Sequence, residues 1–502
     1  MSADGPTKID LLARNVRARV PYPIDVLEVA AVIESMGITD TVATEDYGVS
    51  GGFELAEMVF ESVRAWPGEL APVGHDPESE RDERPNALAD VSARGLLALA
   101  PLCVLLIGLQ ALALAGWDTG AILALSIGVT ASMLLTSGPI VAISRRTSVY
   151  LGFEQVDSAR RFITGASLAT LLACTAIGLG TFGVVSAFEV FTLEQRTIFA
   201  VALVAYALLW LLASGLSLAG ASALVCGVLA GGMALAVVSG IALGTPAGIA
   251  IGYGSTIAAL VVAWCVYYPY RRRTTLLPRA TGPLLLDSAP YLFFGSAFAL
   301  FLIGPHLLGW AGAGGGTLID RVTTLELSLL IALVPVVLAT GVSERVLRSF
   351  WDVARTLRRE NAADGFRRGI RSYILAGFAR YAVVLSTLSV ATALAYEALV
   401  LAGALEHGSQ LVFLAGLTAF LLLGLGQFGC LFLLGLALPD RALKSLLTGL
   451  FVLGALGAPL ALIDFRLAAV GFAVAAAVFA AAAIAACLTV LAEIPRRYST
   501  AF

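Results

Sequence analysis

Charge is what this sequence has least of: 13% of its 502 residues are Asp, Glu, Lys or Arg, against 59% hydrophobic residues. That scarcity excludes a soluble protein of ordinary composition, in which about a quarter of the residues are charged. Cysteine patterning is also absent. All six cysteines (Cys103, Cys174, Cys226, Cys265, Cys430 and Cys487) fall in apolar stretches with no CxxC or Cys/His spacing. They read as small buried hydrophobes, which leaves no metal site and no disulfide framework to expect. Residues 1–21 lack an apolar h-region, so the first spanning helix is expected to direct insertion in place of a cleaved signal peptide. No GxxxxGK, HExxH, Gly-rich nucleotide loop or paired-acid cluster occurs, so no catalytic residue, cofactor or nucleic-acid partner is expected.

What the sequence has instead is apolar blocks of about twenty residues, each long enough at about 1.5 Å per residue to cross roughly 30 Å of hydrocarbon. Twelve are expected, at 96–115, 121–144, 162–186, 198–216, 222–243 and 247–268, then at 288–308, 323–342, 373–401, 411–438, 443–463 and 468–492. The fold class is therefore an all-α polytopic membrane protein. Its weakest boundary is 217–221, which has no charge to separate the fourth span from the fifth.

Lysine and arginine set the expected orientation, because basic loops stay in the cytoplasm. With twelve spans, one set of segments holds 21 of them: Arg145, Arg146, Arg160 and Arg161; Arg271, Arg272, Arg273 and Arg279; nine from Arg345 to Arg380; Arg441 and Lys444; and Arg496 and Arg497. The opposite loops hold only Arg196, Arg321 and Arg466. Both termini are expected in the cytoplasm, on a protein of the cell membrane.

Residues 1–66 read as a small helical cytoplasmic head. Pro23 starts a helix with a Val26, Leu27, Val29, Ala30, Ile33 stripe that Gly37 stops; 40–47 ends at Gly48, and 53–63 repeats apolar residues at helical spacing. So few residues make a marginal core, and the head is expected to rest on the membrane domain or on a partner, as a docking module or a passive cap. Residues 67–90, with Asp76, Glu78, Glu80, Asp82 and Glu83, read as a flexible acidic tether.

The spans divide into an N-terminal lobe at 91–270 and a C-terminal lobe at 287–502, joined by a cytoplasmic loop at 271–286. The long basic loops follow the second span of each lobe, the arrangement of parallel repeats in transporters. Residues 134–144 can be laid over 330–340, which puts Pro139 opposite Pro335. Thr136-Ser-Gly-Pro-Ile140 ends the second span, Ala289-Pro-Tyr-Leu-Phe-Phe-Gly295 opens the seventh, and 325–348 runs into Ser349-Phe-Trp-Asp-Val-Ala-Arg-Thr-Leu357. In these segments the chain resembles the PelG-like exopolysaccharide exporters, of the superfamily that includes multidrug and lipid-linked oligosaccharide flippases. The resemblance covers roughly 96–492 and implies two six-helix lobes that export or flip a polysaccharide or lipid-linked glycan for exopolysaccharide biosynthesis. It implies a glycan substrate and, as partners, a cytosolic glycosyltransferase and other synthase-complex subunits. The seventh span departs from the family pattern, with Ile303-Gly-Pro-His-Leu-Leu-Gly309 in place of a Trp-Ala-Asp-Lys-like segment.

Ionisable and polar groups in hydrocarbon are costly, so the few within spans are candidates for a transport pathway. These are Asp287 and Tyr291 at the mouth of the seventh span, Glu326 near the outer end of the eighth, Arg380 in the ninth and Gln427 in the tenth. Each also has a structural reading, as an interfacial anchor or a packed polar group. His306 lies near the outer end of the seventh span. Pro139, Pro290, Pro305 and Pro335 are candidate helix kinks. An amphipathic helix near 344–370, with Arg345, Arg348, Trp351, Arg355 and Arg358, is expected to lie on the lipid bilayer's inner leaflet or to contact a synthase. The rival functions are an ion-coupled multidrug-type antiporter and a membrane glycosyltransferase or ligase. The outer loops are short for the latter, and the first lobe has no carboxylate between Asp157 and Glu189 for the former.

Overall fold

The computed structural model describes residues 8–19, 26–36, 38, 40–65, 119–152, 156–187, 192–243, 245–268, 281–314, 318–360, 363–402, 410–436 and 438–497. The expected first span at 96–115, the whole acidic tether at 67–90 and the arginines at 271–279 lie outside them. The chain forms two compact units, one of 1–87, 350–373 and 489–502, the other of 88–349 and 374–488.

The head is four helices: α1 Lys8–Arg19, α2 Val26–Ser35, α3 Asp40–Tyr47 and α4 Gly52–Ala65. Sequence reading expects the last three. In α1 the apolar spacing is hidden among four arginines and lysines, yet Leu12, Ala13 and Val16 are buried with Val29, Ile33, Leu55, Val59 and Val63 in one core. Gly48 ends α3 at φ 71°, with Gly48 N–H bonded to Thr44 O and Val49 N–H to Ala43 O, a closure that needs a residue tolerant of left-handed backbone. Two carboxylates finish the start of α4. Asp40 Oδ1 accepts Gly52 N–H at 2.7 Å, and Glu54 Oε2 accepts Ser50 N–H at 2.7 Å and the Ser50 hydroxyl. Those two hydrogen bonds from Ser50 hold the Glu54 carboxyl below its ordinary range.

Eleven helices among the described residues are long and apolar enough to cross a membrane, and they match the second to twelfth expected spans. The chain is an all-α, multi-pass membrane protein. In the first lobe they are α5 Thr119–Gly152, α6 Val156–Ala187, α7 Leu193–Leu218, α8 Ser222–Leu243 and α9 Thr245–Tyr267. The uncharged boundary at 217–221 is a real turn. Gly220 has φ 83°, and Ala221 N–H reaches back to Leu216 O at 3.0 Å. Thr192 and Gln195 form a reciprocal capping box that opens α7.

The second lobe holds α10 Thr281–Ala311, α11 Leu318–Glu360, α12 Ala363–Leu401, α13 Gln410–Gly435, α14 Pro439–Val452, a π-helical turn Leu453–Gly457, α15 Ala458–Ile463 and α16 Leu467–Arg497. The π turn lets one span run on through α14 and α15. It faces the proline-bearing part of α10, where a Cβ on Gly304, beside Pro305, would lie 2.5 Å from Leu453 Cδ2. Two expectations change here. Residues 281–286 of the supposed loop are helical, in α10. The amphipathic helix is not a separate element, since 344–360 continues the eighth span within α11 and 363–370 opens α12. Between Gly341 and Glu360 the sequence has neither glycine nor proline to stop a helix, and six glutamates and arginines favour its continuation.

Candidate functional site

The lobes meet where α5 and α10 cross antiparallel. Gly138 and Gly295 set the spacing. A Cβ on Gly138 would lie against Ser296 Oγ and 2.5 Å from Leu292 O, and one on Gly295 would lie 2.6 Å from Ser137 O and 2.9 Å from Gly138 Cα. Small residues let two helix backbones approach this closely in a membrane.

Following the crossing toward the arginine-rich ends of the helices, the next contact is polar. Arg145 lies beyond its expected span end but still within α5, and holds its guanidinium 5.7 Å from the centroid of the Tyr291 ring. It also donates a hydrogen bond to the Tyr291 hydroxyl, with the Asp440 carboxylate of α14 in electrostatic reach. Tyr291 is 7% exposed. Three elements from two lobes thus converge on one tyrosine, and this end of the α5–α10 seam is closed. Among the expected pathway residues whose side chains are described, Tyr291 is the one with a cross-lobe partner. Arg145 was visible only as a loop cation, and Asp440 as part of an unremarkable turn.

Gln427 is half-buried on α13. Beside it Phe428 stacks on Tyr381 at 5.1 Å and meets Phe378 edge-on at 4.4 Å. Arg380 is exposed, while its neighbour Tyr381 is buried. Asp287 and Glu326 belong to α10 and α11, but their side chains lie outside the described residues, as do those of Arg348, Trp351, Arg355 and Arg358; Arg345 is exposed. Pro139, Pro290, Pro305 and Pro335 all lie inside continuous helices. One ionisable group within a span escaped the sequence reading. Glu397, in the last turns of α12, accepts from Gln410 Nε2 at 2.7 Å, beside a parallel Tyr396–Phe413 stack at 3.7 Å. A charge inside an apolar block was the signal for it.

The interior of the first lobe is aromatic and hydroxylic. The Tyr206 hydroxyl donates to that of Tyr253 at 2.7 Å, Tyr268 donates to Gly215 O at 2.7 Å, and Trp264 packs on Gly215 and on the Tyr268 ring at 4.7 Å. In its described helices the carboxylates are Asp157, in the first turn of α6, and Glu194, exposed in the first turn of α7. Among the described residues no group of three or more His, Cys, Asp or Glu is gathered to hold a metal ion.

No family model matches the chain, and no curated protein matches it. Solved structures do. A MATE protein in its bent conformation aligns at 14% identity and TM-score 0.56, over 82% of this chain and 96% of that one. A mutant of the Vibrio cholerae MATE transporter VcmN aligns at 14% identity and TM-score 0.56, over 83% and 98%. The fold is that of the MATE transporters. A MOP-superfamily transporter from Pyrococcus furiosus, described as having a binding pocket of reversed polarity that suggests a different function, aligns at 12% identity and TM-score 0.54, over 82% and 96%. The alignments leave less than a fifth of this chain uncovered while spanning nearly all of each neighbour, so both lobes are included.

Proposed function

We propose that this chain is a cell-membrane transporter that moves a polysaccharide or lipid-linked glycan outward by alternating access between its lobes, supplied by a cytosolic glycosyltransferase. The observation that carries transport is the α5–α10 seam, tight at Gly138 and Gly295 and closed by Arg145, Tyr291 and Asp440. Two lobes that touch through small residues and one polar clasp have an interface able to exist in two arrangements. The positive-inside bias puts both termini and the clasp on the cytoplasmic side. The neighbours' fold supports transport over membrane glycosyl transfer.

Two observations support a glycan. One is the resemblance to PelG-like exporters. The other is the first lobe, whose described spans offer tyrosine hydroxyls and rings where proton or sodium coupling calls for buried carboxylates. A second reading, an ion-coupled multidrug antiporter, is favoured by one solved neighbour being a multidrug resistance MATE transporter, matched at 13% identity and TM-score 0.55 over 82% of this chain and 96% of that one.

Deleting the gene separates the two readings. Loss of a secreted or surface polymer, restored by the wild-type gene, is the expected result; an unchanged glycan with altered drug sensitivity would favour the antiporter. Glu326→Gln, Arg380→Gln and Gln427→Leu should abolish export at normal protein level, and wild-type secretion from all three would remove them from the pathway.

A further inference from the structure

At the cation-poor end of the second lobe, Arg321 and Arg466 reach one backbone junction and Trp310 lies two residues from it in sequence, each with a buried N–H donor that has no acceptor among the described residues. The junction joins the chain leaving α10 to the turn between α15 and α16. Ala313 N–H bonds to Ala461 O at 3.0 Å, and Phe465 N–H bonds to Ala313 O at 2.8 Å. Gly312 packs directly on it, since a Cβ there would lie 2.6 Å from Ala461 O and 3.1 Å from Phe465 Cα.

Both arginines of this end are anchored to that junction. Arg321, from the first turn of α11, donates through Nη1 to Gly312 O. Arg466 lays its guanidinium over the Phe465 ring, 5.5 Å from its centroid. Yet the Nε–H of Arg321, the Nε–H of Arg466 and the Nε1–H of Trp310, two residues before Gly312, are buried with no acceptor among the described residues. The nearby carboxylate, Asp464, is half-buried and accepts the backbone N–H of Arg466 at 2.9 Å. Guanidinium and indole groups only donate. Buried donors without acceptors are costly, and more so when charged, so a corner made of donors is completed by an oxyanion.

Depth identifies the source of that oxyanion. Arg466 directly precedes the span Leu467–Leu491, and Arg321 lies six residues before Leu327–Leu347, about 9 Å along a helix. This is the level of lipid headgroups, which occupy roughly 5–8 Å beyond each face of the hydrocarbon. Leu462 and Ile463, just before the turn, are 66% and 71% exposed and offer apolar contact for acyl chains. We propose that this corner, opposite the arginine-rich end, binds the phosphate of an anionic membrane lipid through Arg321, Arg466 and Trp310.

The test uses the purified full-length chain. Native mass spectrometry counts phosphatidylglycerol retained during titration, with phosphatidylcholine as the neutral comparison and inorganic phosphate as the free-anion comparison. The wild type should show a saturable phosphatidylglycerol site, absent with phosphatidylcholine. Arg321→Gln/Arg466→Gln should weaken it roughly tenfold or more, the effect of losing charge-assisted hydrogen bonds. Trp310→Phe keeps an aromatic ring and removes one donor, so it should weaken the site severalfold; with Arg466→Gln, whose guanidinium lies over the Phe465 ring, it keeps the test decisive if the double variant does not fold. Equal phosphatidylglycerol retention by wild type and variants overturns the proposal. Saturation by inorganic phosphate that displaces phosphatidylglycerol assigns the corner to a free anion and overturns the lipid.

Discussion

The Arg145 guanidinium lies 5.7 Å from the centre of the Tyr291 ring, although 146 positions of sequence and a lobe boundary separate the two residues. A cation–π contact of this kind contributes about 0.5–2 kcal/mol, the more so when desolvated. That is enough to shift the balance between a closed and an open seam by roughly two- to thirtyfold. Arg145→Gln and Tyr291→Leu should each open the arginine-rich end, and the double variant should open it little further. Spin labels on α5 and α10 read the populations by distance. Strictly additive effects would show that the two residues do not act as a pair.

A second prediction concerns the crossing below the clasp. Gly138→Ala and Gly295→Ala each push a methyl into backbone of the other helix, and overpacking of this kind costs about 1–3 kcal/mol. The cost falls on the closed seam and not on the lobes themselves. Both variants should therefore raise the open population while each lobe keeps its thermal stability. Gly165→Ala and Gly254→Ala meet nothing within 4 Å and serve as controls. The same spin-label distances decide the matter, and closed populations equal to the controls' would remove the glycines from the seam.

These contacts show where sequence reading stops. The spans were legible because hydrocarbon thickness imposes a length that an apolar block either has or lacks. Their ends were less so: α7 begins at Leu193, five residues before its apolar block, and α10 begins at Thr281, because a helix continues into the headgroup layer wherever its residues tolerate it. Arg145 was placed in a loop for the same reason, although a long side chain at a helix end can extend its charge away from the hydrocarbon. The π turn at Leu453–Gly457 left no mark in composition. Tyr291 was legible as a polar residue at a span mouth, but its partners were not, because no periodicity within one helix reports which helix lies opposite.

The head carries a pH prediction. Ser50 holds the Glu54 carboxyl below its ordinary range in the folded state. A depressed carboxyl contributes stability that is fully present above its unfolded pKa, about 4.3, and is lost as pH falls through the lower folded value. Hydrogen exchange of the full-length chain should show the Ser50 amide losing protection on acidification below about pH 4.3, after correction for the intrinsic rate. In Glu54→Gln the protection should be weaker at neutral pH and nearly flat with acid. An identical pH profile in that variant would mean that Glu54 does not cap α4 in this way.

The hydroxyl pair of the first lobe separates packing from transport. Tyr206 is 6% exposed, and its hydroxyl is bonded to that of Tyr253. Tyr206→Phe removes the hydrogen bond that the Tyr253 hydroxyl accepts, and losing such a bond costs about 0.5–1.5 kcal/mol. Replacing both removes donor and acceptor together, and the same physics makes that change nearly neutral. Thermal unfolding followed by thiol labelling of the buried Cys174 should thus rank the wild type and the double phenylalanine variant together, above either single variant. Export measured on the double variant then isolates function from folding. Full secretion at wild-type stability would make the pair a packing device, whereas lost secretion at wild-type stability would place these two hydroxyls in the path of a hydroxyl-rich cargo.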